Sequence, residues 1–242
     1  MNEKIYTYTF FGRVFPERAN VYLKELKNVI KWNNTDIDGV LSINSSQIMA
    51  QYKCNLNIED IYTFKNDIEE HIRFMVDIIG YNNGCGYDVE IISCIDSLDR
   101  QIVFGVAIDN IEEFSKKRLH NINDLIFKIS SSEYQIYFRR CLADLREAIR
   151  SPKDTVFFCY RGIESLRQYF VEKYNLDEKN SWEKLRDELG VERKKIDDIK
   201  NFADPVRHGN GTKITSKERY DIVISTWEVV DNFIEYALKN II

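Results

Sequence analysis

The sequence predicts an α+β protein: a small strand-rich α+β domain followed by an antiparallel helical bundle. Three observations predict it. Residues 5–52 hold short runs rich in Tyr, Thr, Phe, Val and Ile, punctuated by Pro16 and by Asn44-Ser45-Ser46. One long stripe of apolar residues at steps of three and four interrupts that strand pattern. From about Asn121 the period becomes helical and stays so to the end. The spacing therefore divides the chain into residues 1–120 and residues 121–242.

Ile5 to Phe15 reads as a strand ended by Pro16, whereas residues 20–31 fit strand and helix alike. Val40–Ile43 and Gln47–Tyr52 read as two strands across the Asn44-Ser45-Ser46 turn. The stripe Ile58, Ile61, Phe64, Ile68, Ile72, Met75, Val76 and Ile79 predicts a helix, with Asn57 as its cap and Gly80 as its end. Residues 81–86 are a turn-rich loop, and strands follow at Tyr87–Ile95 and Gln101–Ile108 around Ser97-Leu98-Asp99.

In the second half, Tyr134, Phe138, Cys141, Leu142, Leu145 and Ile149 form one stripe. Val156, Cys159, Tyr160, Ile163, Leu166 and Phe170 form the next, after the Ser151-Pro152 break. Ser181 opens a short helix closed by Gly190, and a polar helix covers residues 192–202. The capping box Thr215-Ser216-Lys217-Glu218 starts the last, with Tyr220, Val223, Ile224, Trp227, Val230, Ile234, Ala237 and Leu238 on one face. Short connections between such helices favour an antiparallel bundle.

A net charge of −5 argues against a protein that coats DNA or RNA through bulk electrostatics. The excess is confined to residues 1–130, because residues 131–242 hold 20 basic and 20 acidic side chains. An anion such as RNA is thus expected at the second half. No run approaches the roughly 20 apolar residues of a membrane span. The first residues enter an alternating pattern directly. Five widely spaced cysteines, never in C-x-x-C, predict reduced and mostly packed thiols. The expectation is a cytoplasmic protein that does not engage a membrane.

The histidines narrow the search for chemistry. His71 lies off the helical stripe and reads as a surface residue, and His120 follows Lys116-Lys117-Arg118 in a linker. Neither has ligand-like spacing, so no metal and no cofactor is expected. Gly80, Gly84 and Gly86 match neither nucleotide-loop pattern. His208 differs, because it stands in Lys200-Asn201-Phe202-Ala203-Asp204-Pro205-Val206-Arg207-His208-Gly209. Pro205 cannot continue a helix without losing a hydrogen bond, so a kink or a new start is expected there, with Asp204 as cap. Metal-free RNA cleavage needs a base for the ribose 2′-hydroxyl and a cation for the phosphate. His208 and Arg207 supply these types, and Asp204 is placed to hold the ring in one tautomer. The competing reading is that Arg207 and His208 merely neutralise carbonyl charge at a helix end.

The bundle with a polar Arg…His motif near the end of a late helix resembles the HEPN superfamily. Many of its members are metal-independent ribonucleases of prokaryotic defence, toxin–antitoxin and RNA-processing systems. The resemblance covers residues 131–242. The family motif is an Arg, commonly followed by Asn or another polar residue, with a His four to six residues on. Asn201 matches the polar place and His208 the His; Lys200 stands where the Arg is expected, and Arg207 beside His208 is its substitute. The resemblance implies a homodimer with a composite groove, bordered by Glu164 and Arg161, and a sensor or partner-binding role for the first half. The alternatives are a non-catalytic binding module and an assembly protein that pairs through the strands of Val40–Tyr52 and Tyr87–Ile108.

Overall fold

The computed structural model describes residues 5–105, 121–210 and 214–240. The chain forms two compact units that divide between Gly105 and Val106. Residues 106–120, with His120, the end of the predicted Gln101–Ile108 strand and the expected division at residue 120, lie outside the described residues.

The first unit is a six-stranded antiparallel sheet: β1 (Tyr6–Phe15), β2 (Leu23–Trp32), β3 (Thr35–Asn44), β4 (Gln47–Cys54), β5 (Asp88–Ile95) and β6 (Gln101–Val103). Their spatial order is β2-β3-β4-β1-β5-β6. Residues 20–31, open in the sequence, become β2 because Asn33 and Asn34 both take positive φ and make a two-residue hairpin to β3. Ser45 and Ser46 do the same between β3 and β4. Strict alternation then turns Tyr8, Phe10 and Val14 of β1, Ile37, Leu41 and Ile43 of β3, and Ile48, Ala50 and Tyr52 of β4 to one face. The opposite face shows Arg13, Gln47, Met49 and Lys53 to solvent.

Helix α1 (Ile61–Asn83) closes the apolar face, with Phe64, Ile68, Ile72 and Val76 fully buried. The Phe64 ring meets Trp32 at 5.0 Å, Phe10 at 5.7 Å and Tyr8 at 5.8 Å. Both predicted ends of this helix move. Asp60, not Asn57, caps it by accepting from the Thr63 amide, and Ile58 packs before the helix begins. Gly80 lies within the helix, where a Cβ would sit 2.5 Å from the Cys85 carbonyl, and left-handed Gly84 ends it. The predicted pairing role of Val40–Tyr52 is also revised. β3 and β4 are interior strands bonded on both sides, and edge strand β2 presents Lys24, Lys27 and Lys31 to solvent.

One core group stands out. The Tyr52 hydroxyl is buried with no hydrogen-bond partner among the described residues, and burial drives its pKa upward. Removing it relieves a desolvation penalty without opening a cavity. Tyr52→Phe is therefore expected to stabilise the chain by about 1 kcal/mol, read from the urea midpoint; a loss of stability would mean that the hydroxyl has a partner.

The second unit is helical: α2 (Ile122–Ser130), α3 (Gln135–Arg150), α4 (Thr155–Tyr174), α5 (Glu178–Leu189), α6 (Arg193–Arg207) and α7 (Ser216–Asn240). Helix α5 starts earlier than predicted, because Asp177 caps it through the Asn180 amide and Ser181 is buried one turn in. The Thr215/Glu218 capping box forms as expected, with the Thr215 amide donating to the Glu218 carboxylate at 2.8 Å and the Glu218 amide donating to the Thr215 hydroxyl at 3.2 Å. Of the predicted apolar face of α7, Val223, Val230, Ile234 and Ala237 are buried and Tyr220, Ile224, Trp227 and Leu238 partly so; Ile222, Thr226, Val229 and Phe233 widen the buried side beyond it. Arg219 joins α7 to α3 and α4 by donating to the Thr155 hydroxyl at 3.0 Å and to the Ala148 carbonyl at 3.3 Å. Four of the five cysteines are buried, Cys85 is exposed, and all are free thiols.

Candidate functional site at the end of helix α6

Helix α6 does not restart at Pro205. It runs from Arg193 to Arg207 with Pro205 inside its last turn, and Asp204 is a helix-interior residue rather than a cap. The reason is local. A proline at 205 forfeits only the hydrogen bond to the Asn201 carbonyl, and Asn201 is exposed, so water can take that place. The turn is then closed from below. The His208 amide donates to the Asp204 and Pro205 carbonyls at 3.2 Å each, and Asn210 donates to Pro205 at 2.9 Å. Gly209 leaves the helix at φ +78°, a value that favours glycine.

Helical periodicity sorts the predicted residues into two neighbouring stripes. Lys200, Asp204 and Arg207 recur at four and three residues and share a stripe beside the buried face of Ile196, Ile199 and Ala203, near enough for their charges to act on Tyr160 and Glu164 of α4. Asn201 and His208, seven residues apart, share the next, which is exposed. Consecutive Arg207 and His208 diverge by about 100° around the helix axis. Both are exposed. The imidazole is not sealed in the core, and no hydrogen bond joins it to Asp204 among the described residues.

Across from the first stripe, α4 presents Tyr160, Glu164 and Arg167, again at four- and three-residue steps. Glu164 is half-buried. Burial raises its carboxyl pKa, while the charges of Arg207, Arg167 and Lys200 draw it back down. Burial pushes the Tyr160 phenol up to about 12; Glu164 and Asp204 add to the rise, and Arg167 and Arg207 oppose it. The Tyr160 ring stacks on Trp182 of α5 at 5.9 Å, and the Arg167 guanidinium lies 4.9 Å from the Trp182 ring centre. The structure thus brings Arg207, Asp204 and Glu164 into one electrostatic cluster. Asn201 and His208 stand beside it. Tyr160, Arg167 and Trp182 were not expected there; the 160/164/167 spacing on one helix face was the available signal. Arg161 belongs elsewhere: it donates to Asp144 of α3 at 2.8 Å and lies over Phe157 and Phe158 at 5.0 and 4.9 Å.

The shift at Glu164 has a measurable consequence. A carboxyl whose folded pKa is raised favours the protonated form, so its contribution is fully favourable below the unfolded value and is lost as pH rises through the folded one. Glu164→Gln is accordingly expected to raise the melting temperature at pH 7 and to leave it unchanged near pH 4. A larger gain at the acidic end would mean the opposite sign.

His71, expected at the surface, is half-buried on α1. Its Nε2 atom is buried without a hydrogen-bond partner among the described residues, and burial lowers its pKa. Among the described residues no group of three or more His, Cys, Asp and Glu is arranged to hold a metal ion. No helix among them is long and apolar enough to cross a membrane.

The fold and site define a two-domain α+β chain, a sheet domain before a helical one that carries a polar cluster at the end of its fifth helix. Residues 8–104 match the N-terminal domain, and residues 122–238 the C-terminal domain, of a family described as a domain of unknown function (DUF8168). No curated protein and no solved structure matches the chain.

Proposed function

We propose that the helical domain acts on RNA as a metal-independent endoribonuclease in the cytoplasm, through His208 and Arg207, with a second copy supplying the opposite wall of the groove. One observation supports this reading most: His208 and Arg207 are both solvent-exposed at the end of α6, with Glu164 beside Arg207. In the reaction His208 takes the proton from a ribose 2′-hydroxyl. The 2′-oxygen attacks phosphorus and the bond to the 5′-oxygen breaks as that oxygen takes a proton from water, while His208 returns its proton to solvent and Arg207 balances the charge gathering on the phosphate oxygens. The products are a 2′,3′-cyclic phosphate and a 5′-hydroxyl. Glu164 and Asp204 act as positioning residues for Arg207, and Asn201 extends the exposed stripe toward the RNA. The sheet domain serves as the sensor or partner-binding element.

Labelled single-stranded RNA incubated with the protein in EDTA tests this. Shortening by the wild type and none by His208→Ala, with melting temperature unchanged, is the expected result. Equal cleavage by both would exclude His208 as the base.

A second reading, a non-catalytic RNA-binding module, is favoured by Lys200 at the expected Arg place and by the absence of a group holding the His208 ring among the described residues. It predicts a retarded but intact RNA band for both proteins.

A further inference from the structure

We propose that Tyr160 of α4 is a further catalytic residue of the cleavage, its phenol hydroxyl donating a hydrogen bond to the same non-bridging phosphate oxygen that Arg207 holds. This role rests on the nuclease reading of the site and adds to it a second, uncharged donor.

The hydroxyl stands out by what it lacks. The Tyr160 ring is only 4% exposed and is held by its stacking on Trp182 at 5.9 Å. A buried tyrosine ordinarily finds a partner for its hydroxyl. Tyr160 has no such hydrogen bond among the described residues. Its hydroxyl is not enclosed as that of Tyr52 is, so the tip of a locked ring stays open to solvent.

The surroundings say what it would bond. The charges of Glu164, Asp204, Arg167 and Arg207 all act on the phenol, and those of Arg207 and Lys200 act on Glu164. Yet among the described residues no hydrogen bond or ion pair joins the side chains of Tyr160, Glu164, Lys200, Asp204 and Arg207. Groups that feel one another without touching leave room between them for a polar guest. Arg167 is already engaged, donating to the Ser181 hydroxyl at 3.1 Å and lying over the Trp182 ring. Arg207 and Lys200 are the open cations, so the guest they attract is an anion.

A phosphate drawn in by Arg207 meets Tyr160 as the uncharged donor of the cluster. Glu164 and Asp204 cannot serve, because a carboxylate repels the phosphate oxygens. Burial pushes the phenol up to about 12, so at neutral pH it keeps its proton and donates it. The bond strengthens as negative charge gathers on the non-bridging oxygen, and a ring fixed beforehand costs no reorganisation. No proton leaves Tyr160, so the proton balance of the cleavage is unchanged.

Tyr160→Phe in the full chain keeps the ring and its packing and removes only the hydroxyl. With single-stranded RNA in EDTA, kcat is expected to fall about tenfold or more, with KM little changed. That is less than the roughly 10²–10³ of a donor acting alone, since Arg207 keeps the same oxygen. A second arm uses RNA carrying one phosphorothioate of either configuration at the scissile position. Sulfur accepts hydrogen bonds weakly, so the wild type is expected to cut one diastereomer more slowly than the other. Tyr160→Phe is expected to shrink that ratio severalfold. A packing role would slow both diastereomers alike, and the ratio does not depend on how much of the variant is folded. Wild-type turnover in Tyr160→Phe, or slower turnover with an unchanged ratio, would overturn the role of Tyr160 and leave the nuclease reading standing. RNA left intact by the wild type would overturn both.

Discussion

Glu69→Ala is expected to cost the sheet domain about 3–5 kcal/mol, the range for breaking a buried ion pair by removing one partner. Glu69 is 3% exposed on α1. One carboxylate oxygen accepts from the Ile91 amide at 2.9 Å and pairs with Lys65 at 2.7 Å; the other accepts from Arg73 at 3.2 Å. The Ile91 amide belongs to β5 beside the irregularity in its register with β1, where the ladder shifts between Phe11 and Gly12. Glu69 therefore does for the sheet what a neighbouring strand does elsewhere, and its loss strips the Ile91 amide and the Lys65 ammonium of their acceptor in a poorly hydrated place, while Arg73 keeps Asp88 at 3.3 Å. Arg73 also donates to the Val89 carbonyl at 2.7 Å, so α1 and β5 loosen together. Hydrogen exchange followed by peptide mass should show α1 and β5 losing protection while the bundle keeps its own. Glu69→Gln retains an acceptor for Ile91 and should lose less. Equal and small effects of both changes would show that the carboxylate is dispensable.

Nothing in the periodicity of α1 singles out Glu69. The stripe from Ile61 to Val76 is plain in the sequence, and it produced the helix and its buried face. An acid next to that stripe looks like any solvated acid until a strand irregularity is found opposite it, and such an irregularity is a property of pairing between residues 70 or more apart. Helix ends were misread for a related reason. Asn57 and Asp60 are both good caps, and Gly80 and Gly84 both good stops; the choice is made by Ile58, which packs in the core outside the helix, and by the Cys85 carbonyl against Gly80. In α7 two neighbouring faces are apolar: the predicted one supplies Val223, Val230, Ile234 and Ala237 to the core, and packing around Phe233 and Thr226 adds the other, which the stripe alone did not single out. At the candidate site the residue types were legible and their grouping only partly so. Pro205 suggested a break that the helix absorbs within one turn of its end, and this puts Arg207 with Lys200 and Asp204 rather than with His208.

The second large effect concerns that grouping. Loss of a general base ordinarily costs about 10²–10⁴ in rate, and loss of a charge-stabilising donor about 10²–10³. His208→Ala is expected at the upper part of the first range. Arg207→Ala is expected to lower turnover by about a hundredfold or more. Arg207→Lys should recover only part, because an ammonium cannot reproduce a two-pronged contact to phosphate. Glu164→Gln should alter turnover far less than either change, since Glu164 acts on Arg207 and not on RNA. An Arg207→Lys protein as active as the wild type would reduce Arg207 to a simple point charge.

The chemistry of the cut ends tests the central claim most directly. RNA cleaved in EDTA by the wild-type chain is predicted to end in a 2′,3′-cyclic phosphate and to start with a 5′-hydroxyl, with neither product formed by His208→Ala. RNA left intact by the wild type, or cut to 3′-hydroxyl ends, would contradict His208 as the base for the 2′-hydroxyl and Arg207 as the phosphate donor on the neighbouring stripe of α6.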